Sequence, residues 1–166
     1  YDMCSQNPLH TSDAVIVGKV WLIGRSYAAA IERGANWKND IGGTSVGETD
    51  NTESGYVTKV LPVMKKNANE LDEKIAEMSQ YPQLTQEILI KVIENHAFLT
   101  GVFYAISGMH NRSLASKYLH FHLPKLVYIF DSRATTNINK FSVSSRQLKK
   151  LLESNVCQAD SAYLEF

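Results

Sequence analysis

Cysteine is scarce in this sequence: Cys4 and Cys157 stand near opposite ends of a chain of 166 residues. Two cysteines alone cannot form a zinc site or an iron–sulfur cluster, and they provide no disulfide framework. A reducing compartment is the simplest interpretation, so a cytoplasmic protein is expected. Neither cysteine has a base nearby in the sequence, and a catalytic thiol is therefore not expected. A single disulfide between the two ends stays open.

The chain also lacks a long hydrophobic run and an excess of charge of one sign. No apolar run reaches the roughly 18 residues that a membrane-spanning helix needs, so no membrane segment is expected. Lys and Arg together number 17, as do Asp and Glu, which excludes a uniformly basic nucleic-acid binder. Apolar residues make up 44% of the chain. That share is enough for a core, and a single domain over residues 1–166 is predicted.

The neutral total hides an uneven distribution of charge. Residues 1–107 carry a net charge of −4 and residues 151–166 a net charge of −3, whereas residues 108–150 carry +7. A basic block inside a neutral protein indicates where a polyanion would bind. The alternative is a solvated surface over which these charges spread, and composition alone does not decide between the two.

Apolar residues recur at steps of three and four through most of the chain, and few segments alternate with period two, which predicts an all-α fold. Helices are expected at 12–33, 62–79, 85–107, 112–122 and 131–141, with a short element near 56–60 and further helices from 144 or 145 to 152 and from 158 onwards. His96 interrupts the apolar stripe of the helix at 85–107, and a core histidine is expected there. Residues 34–55 are polar and glycine-rich, which predicts a flexible loop. Because the sequence ends in a predicted helix, the C-terminal end of the domain is expected to be incomplete.

The segment from Gly108 to Ala134 carries the most functional information. It contains a tight hairpin at 107–111, a helix, an extended link containing Pro124, and then Asp131 at the beginning of another helix. A hairpin between two helices aims the N–H groups of the second helix outward, which makes an anion site. Asp131 can accept N–H bonds from its own helix, stay ionised and still face a cleft.

This segment resembles the helix–hairpin–helix and following aspartate of the base-excision DNA glycosylase superfamily. Members have a Gly-hydrophobic-Gly turn, often a Lys shortly after it, an apolar helix, a Pro and then the Asp. Gly108 precedes Asp131 by 23 positions, the spacing of the 8-oxoguanine glycosylase branch. Residues 115–124 and 129–134 are also similar to small bacterial proteins described as 8-oxoguanine-glycosylase-like, some of which occur beside antiviral nucleotide-signalling systems. The resemblance covers about 30 residues.

The resemblance implies a helix–hairpin–helix DNA N-glycosylase that excises a modified purine of the 8-oxoguanine type. In that superfamily the Asp stabilises the positive charge that develops on the deoxyribose as the base leaves, and lyase-competent members attack the sugar with the Lys. By position Asp131 takes the Asp role, whereas Arg112 occupies the Lys position. Arginine stays protonated and cannot act as the amine. Lys117, five residues later, is the remaining candidate for that role.

The resemblance also implies a nucleic-acid surface and a base pocket. His110 stands where the superfamily has its second glycine, although its side chain could contact phosphate instead. The expected nucleic-acid contacts are Gly108, His110, Asn111, Arg112, Ser113, Arg133 and Lys149. A base pocket is expected from Arg25, Tyr27 and Ser132. The expected ligand is DNA, a nucleotide or a modified base. A protein partner in an antiviral defence system is a further option. No cofactor or metal is expected.

Each candidate residue has a plain structural alternative. Asp131 could serve only as a helix cap, and Arg133 could pair with Asp131 or with surface carboxylates. His110, His120 and His122 could suggest a metal site, but histidines two positions apart on a helix point in different directions, which favours core or surface roles. The alternative function is a catalytically silent module that binds a nucleic acid, a nucleobase or a partner protein. The arginine at the Lys position and the neutral total charge favour that alternative more than they would for a typical repair enzyme.

Overall fold

The computed structural model describes residues 1–33, 55–138 and 163, and every regular element within these ranges is helical. The all-α prediction is therefore confirmed for the described part of the chain. Within it the α-helices are α1 (Asp2–Gln6), α2 (Asp13–Ser26), α3 (Leu61–Lys66), α4 (Ala68–Ser79), α5 (Gln86–Ser107), α6 (Arg112–His122) and α7 (Ser132–Ile138). A 3₁₀ turn spans Ile31–Arg33, and a π-helical turn spans Tyr56–Val60.

Several predictions concern residues outside the described ranges. They are the loop at 34–55 apart from Gly55, the part of the 131–141 helix after Ile138, the helix ending at 152, and the last helix apart from Tyr163. Lys149 also lies outside the described residues. These predictions stay predictions.

The helix α5 is the centre of the fold, and its predicted boundaries are confirmed. The Thr85 hydroxyl caps it by accepting a hydrogen bond from the Ile88 N–H at 3.4 Å. The helix ends at Gly108, whose φ of +71° is a left-handed conformation typical of helix ends. Its apolar stripe is buried against α3, α4 and α6. His96 is fully buried within that stripe, as predicted for a core histidine.

By length and composition, α5 is also the one helix in the described ranges that could cross a membrane. Half of its most apolar stretch is buried inside the fold. A central helix of a folded domain has the same length and composition, so this feature is weak evidence for a membrane segment.

The prediction of one helix at 12–33 is wrong for its last residues, because α2 ends at Ser26. Ala28 has a φ of +55°, a left-handed conformation that interrupts a right-handed helix. The Ala29 N–H then returns to the Gly24 carbonyl at 2.8 Å. The chain therefore reverses direction after α2, despite three consecutive alanines that favour helix.

Burial and close packing explain this reversal. Ile31 is fully buried in the 3₁₀ turn. The backbone of Ala30 lies so close to Gly24 that a Cβ atom at Gly24 would be 3.2 Å from the Ala30 Cα. Glu32 accepts a hydrogen bond from the buried Tyr56 hydroxyl at 2.7 Å. These tertiary contacts outweigh the helix propensity of the alanines.

The break predicted between 56–60 and 62–79 exists, but it lies at Asn67. The π-helical turn runs directly into α3, and Pro62 lies in the first turn of α3, where its missing N–H is tolerated. The Asn67 side chain donates a hydrogen bond to the Val63 carbonyl at 2.8 Å. Because this amide competes with the helical hydrogen bonds, the chain pauses there before α4 begins.

Candidate functional site

The helices α5 and α6 are joined by a four-residue hairpin, Gly108–Asn111. The φ angles of Gly108 and Asn111 are +71° and +41°, both left-handed. The buried Ser107 hydroxyl organises the turn: it accepts hydrogen bonds from the Met109 N–H at 3.1 Å and from the Asn111 side chain. The same hydroxyl lies 2.9 Å from the Phe103 carbonyl. The hairpin predicted at 107–111 and the helix predicted at 112–122 are both confirmed.

An aromatic pair covers the outer side of the hairpin. The His110 imidazole stacks on Tyr104 with 4.9 Å between the ring centroids and 28° between the planes, and both side chains are exposed. On the inner side, the Arg112 carbonyl accepts a hydrogen bond from His96 Nε2 at 3.2 Å. That contact makes Nε2 the protonated nitrogen of His96. The outer side of the hairpin therefore presents an aromatic surface at position 110.

Lys117 turns into the protein one helical turn after Ser113. Its side chain is 6% exposed, and its Nζ donates hydrogen bonds to the Tyr27 carbonyl at 2.8 Å and to the Ser113 hydroxyl at 2.9 Å. Burial lowers the pKa of Lys117, and the negative charge of Asp131 opposes that effect. The two groups are thus electrostatic neighbours, although no ion pair joins them among the residues described.

Asp131 caps α7. Its Oδ1 accepts a hydrogen bond from the Ala134 N–H at 2.8 Å, and its backbone carbonyl accepts one from the Thr135 N–H at 2.9 Å. This is the geometry of an N-cap residue, so Asp131 does cap this helix. Capping uses only one carboxylate oxygen, however. The other oxygen, Oδ2, accepts no hydrogen bond from the described residues, and the side chain is partly exposed.

The link between α6 and α7 runs along α6 and is bonded to it by two side chains. The Ser116 hydroxyl accepts a hydrogen bond from the Phe130 N–H at 2.9 Å. His120 Nδ1 lies 2.7 Å from the Val127 carbonyl and donates to it. On the other side of the link, the Tyr163 hydroxyl donates to the Tyr128 carbonyl at 3.0 Å. The placement of Asp131 therefore depends on α6 and on Tyr163.

The three residues expected in a base pocket are held separately. Arg25 forms an ion pair with Glu32, and its side chain is half exposed. The Tyr27 ring packs on Phe121 with 4.9 Å between centroids, and only its backbone carbonyl reaches Lys117. Ser132 is exposed in the first turn of α7. No hydrogen bond joins Arg25, Tyr27 and Ser132 to one another within the part of the chain that the structure describes.

The expected nucleic-acid contacts that the structure describes lie in two places. Gly108, His110, Asn111, Arg112 and Ser113 lie together at the hairpin, as their sequence proximity requires. Arg133 is exposed on α7, beside Asp131. The Ser113 hydroxyl already bonds Lys117, which leaves its backbone N–H, at the beginning of α6, as its natural anion contact.

A second polar cluster, which sequence analysis missed, lies in the core behind α6. His10 Nδ1 is 2.5 Å from Asp72 Oδ1, and His10 Nε2 is 2.6 Å from the Tyr118 hydroxyl. Because a carboxylate can only accept, Nδ1 carries the proton and Nε2 accepts from Tyr118. Lys19 is fully buried nearby and donates to the Leu9 carbonyl at 3.4 Å. No sequence signal joins residues so far apart in the chain.

The histidines considered as a metal site do not come together. His110 stacks on Tyr104, His120 bonds the link, and His122 packs beside His10 with 5.5 Å between ring centroids. Among the described residues, no group of three His, Cys, Asp or Glu side chains has a geometry that would hold a metal ion.

No family model, curated protein or solved structure matches this chain. The hairpin, Lys117 and Asp131 are therefore the features of the molecule that bear on its function.

Proposed function

We propose that this protein is a helix–hairpin–helix DNA N-glycosylase that removes a modified purine of the 8-oxoguanine type. The observation that carries the proposal is one continuous arrangement: a hairpin between α5 and α6, followed by a link that is hydrogen-bonded to α6 at Phe130 and ends with Asp131 at the beginning of α7. In this proposal the hairpin binds backbone phosphate, and the target base is flipped out of the duplex toward Asp131.

Asp131 is suited to stabilise a cation. When the bond between C1′ and the purine nitrogen breaks, its electron pair leaves with the base, which takes up a proton from solvent, and positive charge develops on the sugar. The Oδ2 atom of Asp131 accepts no hydrogen bond from the described residues, so in this proposal it is the carboxylate oxygen that faces the cation. Water then adds to C1′ and releases its proton to solvent, which completes the hydrolysis.

Lys117 is the candidate amine for lyase chemistry, but its environment argues for hydrolysis alone. An amine must be neutral to attack C1′, and burial favours that state by lowering the pKa of Lys117. Its Nζ is held by the Tyr27 carbonyl and the Ser113 hydroxyl, however, and would have to leave both. We therefore expect base release without strand nicking.

The Asp131→Asn variant tests the role of the charge. Asparagine caps helices about as well as aspartate, so the melting temperature and the affinity for duplex DNA should stay close to those of the wild type. Base release from duplexes with 8-oxoguanine, read as strand cleavage after alkali, should fall by about 100-fold or more because the amide carries no charge. Asp13→Asn, a change at the first residue of α2, is the control and should leave base release intact.

Two results would contradict the catalytic role. Full base release by a well-folded Asp131→Asn variant would show that the charge of Asp131 is not used. A large fall in melting temperature would return Asp131 to a purely structural role.

Nicking without alkali in the wild type would contradict the hydrolytic assignment and indicate Lys117 as the nucleophile.

The second candidate function is a silent module that binds a nucleic acid or a nucleobase, with a protein partner in a defence system as its context. The observation favouring it is that Arg112 occupies the usual Lys position while the Lys117 ammonium is already hydrogen-bonded. In that case the wild type would bind a duplex with a modified purine more tightly than an unmodified duplex, but would release no base with or without alkali.

A further inference from the structure

We propose that Ser116 is a positioning residue that sets the place of Asp131 relative to Lys117. The inference rests on the proposed function of Asp131, but the geometry behind it is independent of that function. Ser116 is fully buried on α6 and cannot touch a substrate. Whatever it contributes must act through the residues that it holds.

The Ser116 hydroxyl contacts both backbone groups of the residue that precedes Asp131. It accepts a hydrogen bond from the Phe130 N–H at 2.9 Å, and the Phe130 carbonyl, 3.3 Å away, is one acceptor within reach of its own hydrogen. The Ser113 carbonyl, 3.1 Å away, is the second acceptor within reach of that hydrogen. The hydroxyl therefore fixes the Phe130 backbone through its N–H group and lies next to its carbonyl.

This contact between Ser116 and Phe130 matters because the link has no regular structure of its own. The residues from Tyr128 to Asp131 belong to no helix, so their backbone groups need partners from elsewhere. Ser116 immediately precedes Lys117 on α6, and Phe130 immediately precedes Asp131. One hydroxyl thus connects the two segments that carry the candidate catalytic pair. A displacement of about 1 Å in such a site can lower a rate about 100-fold.

The rest of the link is held by other hydrogen bonds, so the contact between Ser116 and Phe130 can be removed by itself. His120 bonds the Val127 carbonyl and Tyr163 bonds the Tyr128 carbonyl, and neither bond involves Ser116. Loss of the Ser116 hydroxyl should therefore free the last residues before Asp131 without detaching the whole link. This expectation separates a positioning role from a general role in folding.

The test is the Ser116→Ala variant, with the Lys117 side chain observed by NMR. The charge of Asp131 opposes the lowering of the Lys117 pKa, so the pKa of Lys117 should fall when Asp131 becomes asparagine. The Ser116→Ala change should move it in the same direction by a smaller amount. In an Asp131→Asn background the Ser116→Ala change should have no further effect, because its action passes through the carboxylate.

Ser79→Ala is the matched control, because the Ser79 hydroxyl also bonds a carbonyl three residues back but lies on α4. It should leave the pKa of Lys117 unchanged. For base release, Ser116→Ala should lower the single-turnover rate about tenfold or more, with the affinity for duplex DNA within about twofold of the wild type.

The outcomes are distinguishable. If folded Ser116→Ala has the wild-type Lys117 pKa, or shifts it equally in the Asp131→Asn background, the positioning role is wrong. If the wild type releases no base while the pKa shifts of Lys117 follow the expected pattern, the proposed function is wrong but the positioning role of Ser116 is supported. If Ser116→Ala does not fold, Ser116→Cys carries the same measurement, because its thiol fills the site and bonds only weakly.

Discussion

Two histidines, the buried His10 and the partly buried His122, make the stability of the protein sensitive to acid. Burial lowers the pKa of both side chains, and for His122 burial lowers the pKa to about 3, with the positive charge of Lys19, and of His10 when it is protonated, adding to the effect. At His10 the hydrogen bond to Asp72 opposes burial. An unfolded histidine titrates near pH 6.5. As the pH falls below that value, the unfolded chain binds protons that the folded core rejects, so stability should decrease.

Removing His122 should make the protein less sensitive to acid. Between pH 6.5 and about 3, one histidine that stays neutral in the folded state increases the slope of the unfolding free energy against pH. The increase is at most about 1.4 kcal/mol per pH unit. His122→Asn should lose that share of the slope, measured by urea unfolding between pH 7.5 and 5. Leu126→Ala, at a buried position lining the same cavity as His122, should lower stability but keep the slope. Equal slopes in all three proteins would show that His122 is not held neutral.

Among the helices, α2 is followed by a reversal that depends on close packing. Gly24 lies at the contact between α2 and the chain that folds back on it, whereas Gly101 lies on an open face of α5. A Cβ atom at Gly24 would be 3.2 Å from the Ala30 Cα and 3.5 Å from the Ala29 carbonyl oxygen, and both are backbone atoms that cannot rotate away. A Cβ atom added at Gly101 would have no neighbouring atom within 4 Å outside its own helix backbone.

The two glycines should therefore respond in opposite directions to the same substitution. Gly24→Ala should destabilise the protein by about 1–3 kcal/mol, because the added methyl group overpacks the reversal. Gly101→Ala should stabilise it by up to about 1 kcal/mol, because alanine favours helix more than glycine does. Chemical unfolding of the two variants beside the wild type measures both effects. A Gly24→Ala protein as stable as Gly101→Ala would mean that the chain does not fold back as described.

Over the molecule as a whole, the basic block at 108–150 exposes fewer positive charges than its composition indicates. Lys117 points inward to the Tyr27 carbonyl and is buried. Arg133 and Lys125 are exposed, and Arg112 is partly exposed beside the hairpin. The block's other basic residues lie outside the described ranges: Lys140, Arg146, Lys149 and Lys150.

The salt dependence of DNA binding should reveal which cations of this block contact phosphate. Each lost contact lowers the slope of log affinity against log salt by about one. Arg112→Ala and Arg133→Ala should each reduce the slope by about that amount, measured by fluorescence anisotropy with a duplex from 50 to 200 mM salt. Lys66→Ala, an exposed position on α3 outside the block, is the control. Unchanged slopes in the arginine variants, or no binding by the wild type at low salt, would contradict a nucleic-acid surface at this block.

Local sequence determined the helices α5 and α6 and the hairpin between them. Their apolar residues recur with the period of a helix, Thr85 provides a cap, and Gly108 provides the left-handed residue at which α5 ends. All of these signals act over a few residues, so they can be recognised without knowing the fold. The same holds for the position of Asp131 at the beginning of a helix.

Only the tertiary structure decided where α2 ends and what surrounds the candidate site. The reversal at Ala28 depends on the burial of Ile31, and the inward turn of Lys117 depends on a carbonyl 90 positions away in the chain. The bonds of His10 to Asp72 and Tyr118 join residues separated by 62 and 108 positions. Such contacts leave no local pattern, because their partners become neighbours only when the apolar faces of the helices are buried together.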